Sequence, residues 1–224
     1  MKDMHIRLTF IEEVLGLSPS NKEIYEDFIA KNAPDAKSKE EEIASIGSEE
    51  YVDKTMTVFP HDEDDNAFMY DYTIKGMLKD SIGMLRRVPG SKCSKVSAYK
   101  KIVDGNIFPF PRQIKFLPAE GKKYVELGTC QRPLRASTPQ GDRNALAMSE
   151  TVPAGTRMDF HIVVMKDDLV PVVKECLDYG ALHGLGQWRN SGKGRFLWEN
   201  VETVDCTSEM IQGLLKESYK DYIK

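Results

Sequence analysis

Apolar and polar residues alternate through Met4-His5-Ile6-Arg7-Leu8-Thr9-Phe10, the period of a strand with one buried face. Two capping boxes follow. Ser20-Asn21-Lys22-Glu23 opens a short helix with Ile24, Phe28 and Ile29 on one side, and Ser38-Lys39-Glu40-Glu41 opens another that Gly47 ends. Residues 56–59 and 67–72 read as strands on either side of a polar turn at 61–66. The clearest helix has Ile74, Leu78, Ile82 and Leu85 in one stripe, with Lys75, Lys79 and Arg86 around the rest of it and Pro89-Gly90 beyond its end. Residues 91–104 read as a basic loop with some helix, and β segments are predicted over 107–117 and 124–127. A hairpin is predicted from 146–152 to 158–165, closed by Pro153-Ala154-Gly155-Thr156. Asp167 or Asp168 caps a helix that carries Leu169, Val172, Val173 and Cys176 to about Tyr179, with Gly180 near its end. A strand from Arg195 to about Val204 and a helix opened by Thr207-Ser208-Glu209 complete the chain.

This order predicts an α+β fold: a ferredoxin-like (RRM-like) antiparallel sheet with helices on one face. An acidic helical insertion at 11–66 and a C-terminal helix are additions to it. The chain is read as a single domain over 1–224, and at 41% hydrophobic residues it can build a core without a disulfide or metal. Cys93, Cys130, Cys176 and Cys206 are far apart and form no zinc spacing, so they read as free thiols of a reducing compartment. There is no apolar run long enough for a membrane helix and no export signal, which predicts a cytoplasmic protein.

Charge changes the picture more than composition does. Residues 1–72 hold 18 acids and 7 bases, a net of −11, whereas residues 73–126 hold 4 acids and 12 bases, a net of +8. The net charge of −4 therefore hides a local basic block able to meet a polyanion. Charges segregated in this way also predict head-to-tail self-association.

The candidate chemistry lies in Gly184-Leu185-Gly186-Gln187-Trp188-Arg189-Asn190-Ser191-Gly192-Lys193-Gly194-Arg195-Phe196. Gly184, Gly186, Gly192 and Gly194 let backbone amides approach a ligand. Arg189, Lys193 and Arg195 supply phosphate-pairing charge, and Trp188 supplies a stacking surface. The helix residues Lys75 and Lys79, followed by Lys92, Lys95 and Lys100, form a candidate phosphate track. The loop is no P-loop, because Gly194 follows Gly192-Lys193 where Ser or Thr is needed. The alternative is a tight helix-to-strand connection with Trp188 in the core.

Asp62, Asp64 and Asn66 have the first spacings of an EF-hand, but Ala67 stands where Gly is required and the distal Glu is missing. The turn reads as a solvated acidic tip. No metal, no cofactor and no catalytic residue are assigned, and His183 and His161 read as structural or solvated residues.

A helix, a loop of the form G-x-G-x-n-G-x-G-R/F and a final strand resemble the RAMP superfamily of CRISPR-associated RNA-binding proteins, in which such a loop joins the last helix and last strand of a ferredoxin-like domain. Ile74-Lys75-Gly76 is similar to the family's I-P-G segment, and residues 149–156 are similar to another recurring stretch. Lys75 replaces the usual Pro, and the Ser-rich helix start is missing. The resemblance implies binding to the backbone of single-stranded RNA, often among the protein subunits of an antiviral ribonucleoprotein, and it does not imply catalysis, because many members only bind. Two other readings stand beside it. One is a mobile-element interaction or inhibitor protein that docks on a nucleoprotein complex through its acidic face. The other is a metal-dependent endoribonuclease using the 61–65 cluster.

Overall fold

The N-terminal alternation becomes strand β1, Lys2–Phe10, with Met4, Ile6, Leu8 and Phe10 buried on one side. The computed structural model describes residues 1–19, 56–138 and 141–219; the helices expected from the two capping boxes lie outside them. The chain forms two compact units. The first comprises Met1–Val14, Pro60–Glu126 and Pro153–Lys224, and the second Leu15–Phe59 and Leu127–Val152.

In the first unit, β1 pairs antiparallel with both β10 (Arg157–Val164) and β11 (Phe196–Asp205), and β10 pairs with β6 (Ile107–Phe110). The order β11-β1-β10-β6 is that of a ferredoxin-like sheet, with the two sequence-outer strands on one side and the two inner ones on the other. Helix α1 (Asp71–Leu85) follows β1 in this core and α3 (Val170–His183) precedes β11. Ile74, Met77, Leu78 and Ile82 of α1 and Val172, Val173, Cys176 and Leu177 of α3 are buried, as are Met158, Phe160, Ile162 and Val164 of β10. Burying both stripes and the sheet's apolar face removes the matching surfaces from water together. The α+β, ferredoxin-like architecture is as the residue order predicts.

Smaller elements complete this unit. Strand β5 (Phe68–Tyr70) pairs with β7 (Gln113–Lys115), and α2 (Tyr99–Asn106) leads into β6. A short 3-10 turn at Lys92–Lys95 is fastened by Glu175, whose carboxylate accepts from Ser91 Oγ at 2.7 Å and from the Cys93 amide at 2.8 Å. The thiols of Cys93 and Cys176 meet below it at 3.8 Å, both buried. Thr207 caps α4 (Ser208–Ser218) by accepting from the Met210 amide.

The two-residue strands β2 (Val14–Leu15) and β3 (Ser18–Pro19) follow β1 in the chain. In the second unit, β8 (Gly128–Thr138) and β9 (Gly141–Val152) pair antiparallel along their whole length, while β4 (Thr57–Val58) pairs antiparallel with β3 and runs parallel to β9 at Thr57 and Ser149. The Phe59 amide donates to the Glu150 carboxylate at 2.8 Å.

Three expectations are corrected. The strand expected at 124–127 starts only at Gly128. The predicted hairpin does not form, since β9 pairs with β8 and β10 with β1 and β6. Both strands alternate, but alternation says nothing about the partner; the turn at Gly155 instead docks on β1, its amide donating to the Phe10 carbonyl at 2.7 Å. Finally, α3 does not end near Gly180. A Cβ there would come within 2.5 Å of Met77 Sδ and 3.2 Å of the Phe196 ring, so this glycine permits the close crossing of α1 and α3.

Candidate functional site

Glycine is required at the base of the 184–196 loop for a steric reason. Gly184 ends α3 at φ +87°, and a Cβ there would lie 2.3 Å from the Lys193 carbonyl oxygen. Opposite it, Gly194 has φ +71°, and its Cβ would fall 1.7 Å from the Leu185 carbonyl oxygen. The two strands of the loop thus cross backbone against backbone. The Leu185 amide donates to the Gly194 carbonyl and the Gly194 amide to the Glu13 carbonyl, each at 2.9 Å. The Ile11 amide donates to the Arg195 carbonyl at 2.9 Å, which ties the loop's exit to the end of β1.

Beyond this neck the chain turns through Gly186 (φ +83°), Trp188 (φ +56°), a 3-10 turn at Arg189–Ser191 and Gly192 (φ +82°). The Gly192 amide donates to the Arg189 carbonyl at 2.9 Å and the Gly184 amide to the Gly180 carbonyl at 2.7 Å. The amides of Gly184, Gly192 and Gly194 are therefore engaged within the protein, where the sequence suggested amides offered to a ligand. Trp188 is 39% exposed, so its ring is neither a core residue nor fully in water.

The loop's cations meet internal partners. Arg189 Nη1 donates to Asp80 Oδ2 of α1 at 3.2 Å, and His183 Nε2 lies 3.2 Å from the same oxygen. Tyr179 packs its ring against His183 at 5.3 Å. Lys193 Nζ is 2.7 Å from Glu13 and 3.6 Å from Glu12. Arg195 Nε donates to the Leu182 carbonyl at 3.0 Å. The loop tip is thus brought onto α1, although one residue beyond Lys79. Lys79 and Lys75 turn toward α2 instead. Lys79 pairs with Asp104 at 2.6 Å, and Lys75 donates to the Asp104 carbonyl and covers the Phe108 ring at 4.8 Å. Burial pulls the Lys75 ammonium below the usual lysine range.

The exposed basic charge lies further along. Arg87, Lys92, Lys95, Lys100 and Lys101 are exposed and, among the described residues, have no ion-pair partner. A second group was not singled out in the sequence. Phe68, Tyr70 and Tyr72 form a ladder at the entrance of α1, with Tyr70 and Tyr72 stacked at 5.2 Å and the Arg112 guanidinium 5.4 Å from the Tyr70 ring. Its signal was an aromatic at every second position from 68 to 72, which the strand reading absorbed. Asp71 opens the helix beside it, and burial raises its carboxyl pKa above the ordinary value.

At the acidic tip, Asp62 is the hub of its own turn. It accepts from the amides of Asp64 and Asn66 at 3.0 and 2.8 Å and pairs with Lys115. Lys115, together with the backbone and side-chain amides of Asn66, holds the carboxyl far below the usual range. Among the described residues no three His, Cys, Asp or Glu side chains gather as a metal site, and no helix is long and apolar enough to cross a membrane.

No family model and no curated protein matches the chain. Solved structures do. The type III-B Cmr-beta bound to cognate target RNA aligns with a TM-score of 0.55 at 9% identity, over 91% of this chain and 61% of that one. The chain therefore spans less than two thirds of that neighbour. Cmr6 from Pyrococcus furiosus covers 88% of this chain and 98% of its own at 10% identity, with a TM-score of 0.44. The likeness to the Cmr-beta chain is one of fold.

Proposed function

We propose that this protein binds the backbone of single-stranded RNA as a non-catalytic, RAMP-like component of a CRISPR-type ribonucleoprotein, or as a factor acting on one. The observation that carries the reading is the pinched glycine loop between α3 and the last strand of a ferredoxin-like unit, seated on α1, the helix that leads into a run of exposed lysines. Fold likeness to a Cmr-beta chain solved with its target RNA supports it. The RNA path runs from the loop tip, with Trp188 and Arg189, across Arg87, Lys92, Lys95, Lys100 and Lys101. Stacking and phosphate pairing tolerate any base, so sequence preference is weak.

Filter binding with single-stranded RNA, single-stranded DNA and duplex DNA tests this. Affinity for RNA should fall with salt at a slope of about −0.7 per phosphate neutralised. Replacing Lys92, Lys95 and Lys100 together with alanine should flatten that slope by about 2 and leave the fold intact. Trp188→Ala should cost about 1–3 kcal/mol of binding if the ring stacks on a base. A folded protein without RNA affinity at low salt would refute the proposal.

A further inference from the structure

We infer that Asp80 stands in the loop tip where an RNA phosphate would bind, and so acts as an internal competitor for its own ligand site. The inference rests on the RNA-binding reading and adds a regulatory residue to it. Three distant positions converge here: Asp80 on α1, His183 as the last residue of α3, and Arg189 in the 3-10 turn of the loop. One carboxylate oxygen, Asp80 Oδ2, faces both Arg189 Nη1 and His183 Nε2 at 3.2 Å. An arginine and an imidazole meeting on one anionic oxygen is the donor set that also receives a phosphate oxygen. The group is partly open to water: the Asp80, Arg189 and His183 side chains are 38%, 37% and 29% exposed, so an incoming anion can reach them from solvent. Trp188 and Leu182, the residues that precede Arg189 and His183 in the chain, are themselves 39% and 74% exposed.

The exchange is easy in one direction. An ion pair at a partly open surface is weak, so a phosphate displaces the carboxylate at small cost. The neck below does not move, because it is held by the glycine crossing and backbone hydrogen bonds rather than by Asp80. Asp80 therefore keeps Arg189 and His183 oriented in the absence of RNA and lowers the affinity in its presence. Taking away its charge while keeping its shape should raise RNA affinity, the opposite of what most substitutions in a binding site do.

The test compares a labelled single-stranded oligouridylate on the wild type, Asp80→Asn, Arg189→Ala and the Asp80→Asn/Arg189→Ala double variant, by fluorescence anisotropy at low salt. Asp80→Asn should bind about two- to fivefold more tightly, the range an exposed ion pair allows. The gain should vanish when Arg189 is absent. Glu120→Gln, which removes an equal charge from another exposed position of the same unit, should give no such gain. Wild-type affinity left unchanged or weakened by Asp80→Asn would overturn the inference alone. So would an equal gain in Glu120→Gln, or a gain that survives loss of Arg189. Excess uridine monophosphate that displaces RNA from Asp80→Asn would assign the donors to a free nucleotide and also count against it. Absence of RNA binding in every variant would overturn the functional reading and this inference together.

Discussion

The polar face of the central sheet, where Leu214, Glu217 and Ser218 of α4 line a cavity with His5, Asp159 and His161, and the tip of the glycine loop both bring acids and bases together, but they are built differently. On the sheet, Arg7 Nε and Nη2 donate to both oxygens of Asp159 at 2.8 and 2.7 Å, and Nη1 reaches Glu199 at 3.2 Å. His5 and His161, paired across β1 and β10, stack with centroids 4.7 Å apart, and His161 Nδ1 lies 3.0 Å from Asp3, whose side chain is 5% exposed. Arg7 bridges two carboxylates and binds Asp159 through two nitrogens, a geometry fixed by strand register. At the loop tip Arg189 and His183 each reach Asp80 through a single 3.2 Å contact to one oxygen, with no two-bond fork like that of Arg7 on Asp159. The first arrangement stabilises the fold, whereas the second holds side chains that can be exchanged for a ligand. Where two polar clusters differ in this way, the weaker one is the better candidate for binding.

The loop's shape should depend on its neck rather than on its charges. Gly194→Ala places a methyl group 1.7 Å from the Leu185 carbonyl oxygen at a positive φ, so the backbone has to move. We expect a loss of about 3 kcal/mol or more, from left-handed strain together with the broken neck. Urea unfolding measures it. A loss under about 1 kcal/mol would show that the neck is not what holds the loop.

The next test addresses the comparison itself. Asp159→Ala removes two charge-assisted hydrogen bonds from a half-buried carboxylate and should cost about 2 kcal/mol. Asp80→Ala removes an exposed partner and should stay within about 0.5 kcal/mol. Equal costs in urea unfolding would erase the distinction between the two clusters.

Sequence pattern reached the parts of this molecule that repeat with a local period. The stripe Ile74, Leu78, Ile82 is the buried face of α1, and the alternation at residues 4–10 is β1. The glycine loop was visible as a loop between a helix and a strand, because glycine spacing is itself local. What escaped depends on residues far apart in the chain. Asp80 meets His183 and Arg189 only after α1 packs on α3, and no spacing announces it. The partner of β9 is set by pairing, which alternation does not encode. Gly180 near a helix end fits a cap as well as a close crossing, and only Met77 on the other helix decides between them.

Proton linkage separates the clusters at a smaller scale. The hydrogen bond to Asp3 raises the His161 pKa above the ordinary histidine value, against the opposing effect of burial. A group with a raised folded pKa contributes stability that is fully present below its unfolded value, near pH 6.5, and is lost as pH rises through the folded value. Asp159 works at the other end: Arg7 holds its pKa below the usual range, so its contribution is present above about pH 4 and lost on acidification. Stability of the sheet should therefore fall as pH rises from the ordinary histidine range through the raised folded pKa of His161, and His161→Gln should remove that fall. A wild type and a His161→Gln variant with the same pH profile in urea unfolding would mean that the histidine pair adds no linkage.

The smallest expected change in stability is the most informative about function. Arg189→Ala removes a cation whose partner is a single oxygen of Asp80 at 3.2 Å. Its midpoint in urea should move by no more than about 0.5 kcal/mol equivalent, as for other exposed pairs. The same substitution should weaken RNA binding across all sequences and lower the salt slope by about 0.7, one phosphate's share. Stability and binding would then separate at one residue. If Arg189→Ala instead destabilised the fold as much as Asp159→Ala and left the salt slope unchanged, the tip would be a structural tie like the sheet face. The RNA path would then have to run over Lys92, Lys95 and Lys100 without the loop.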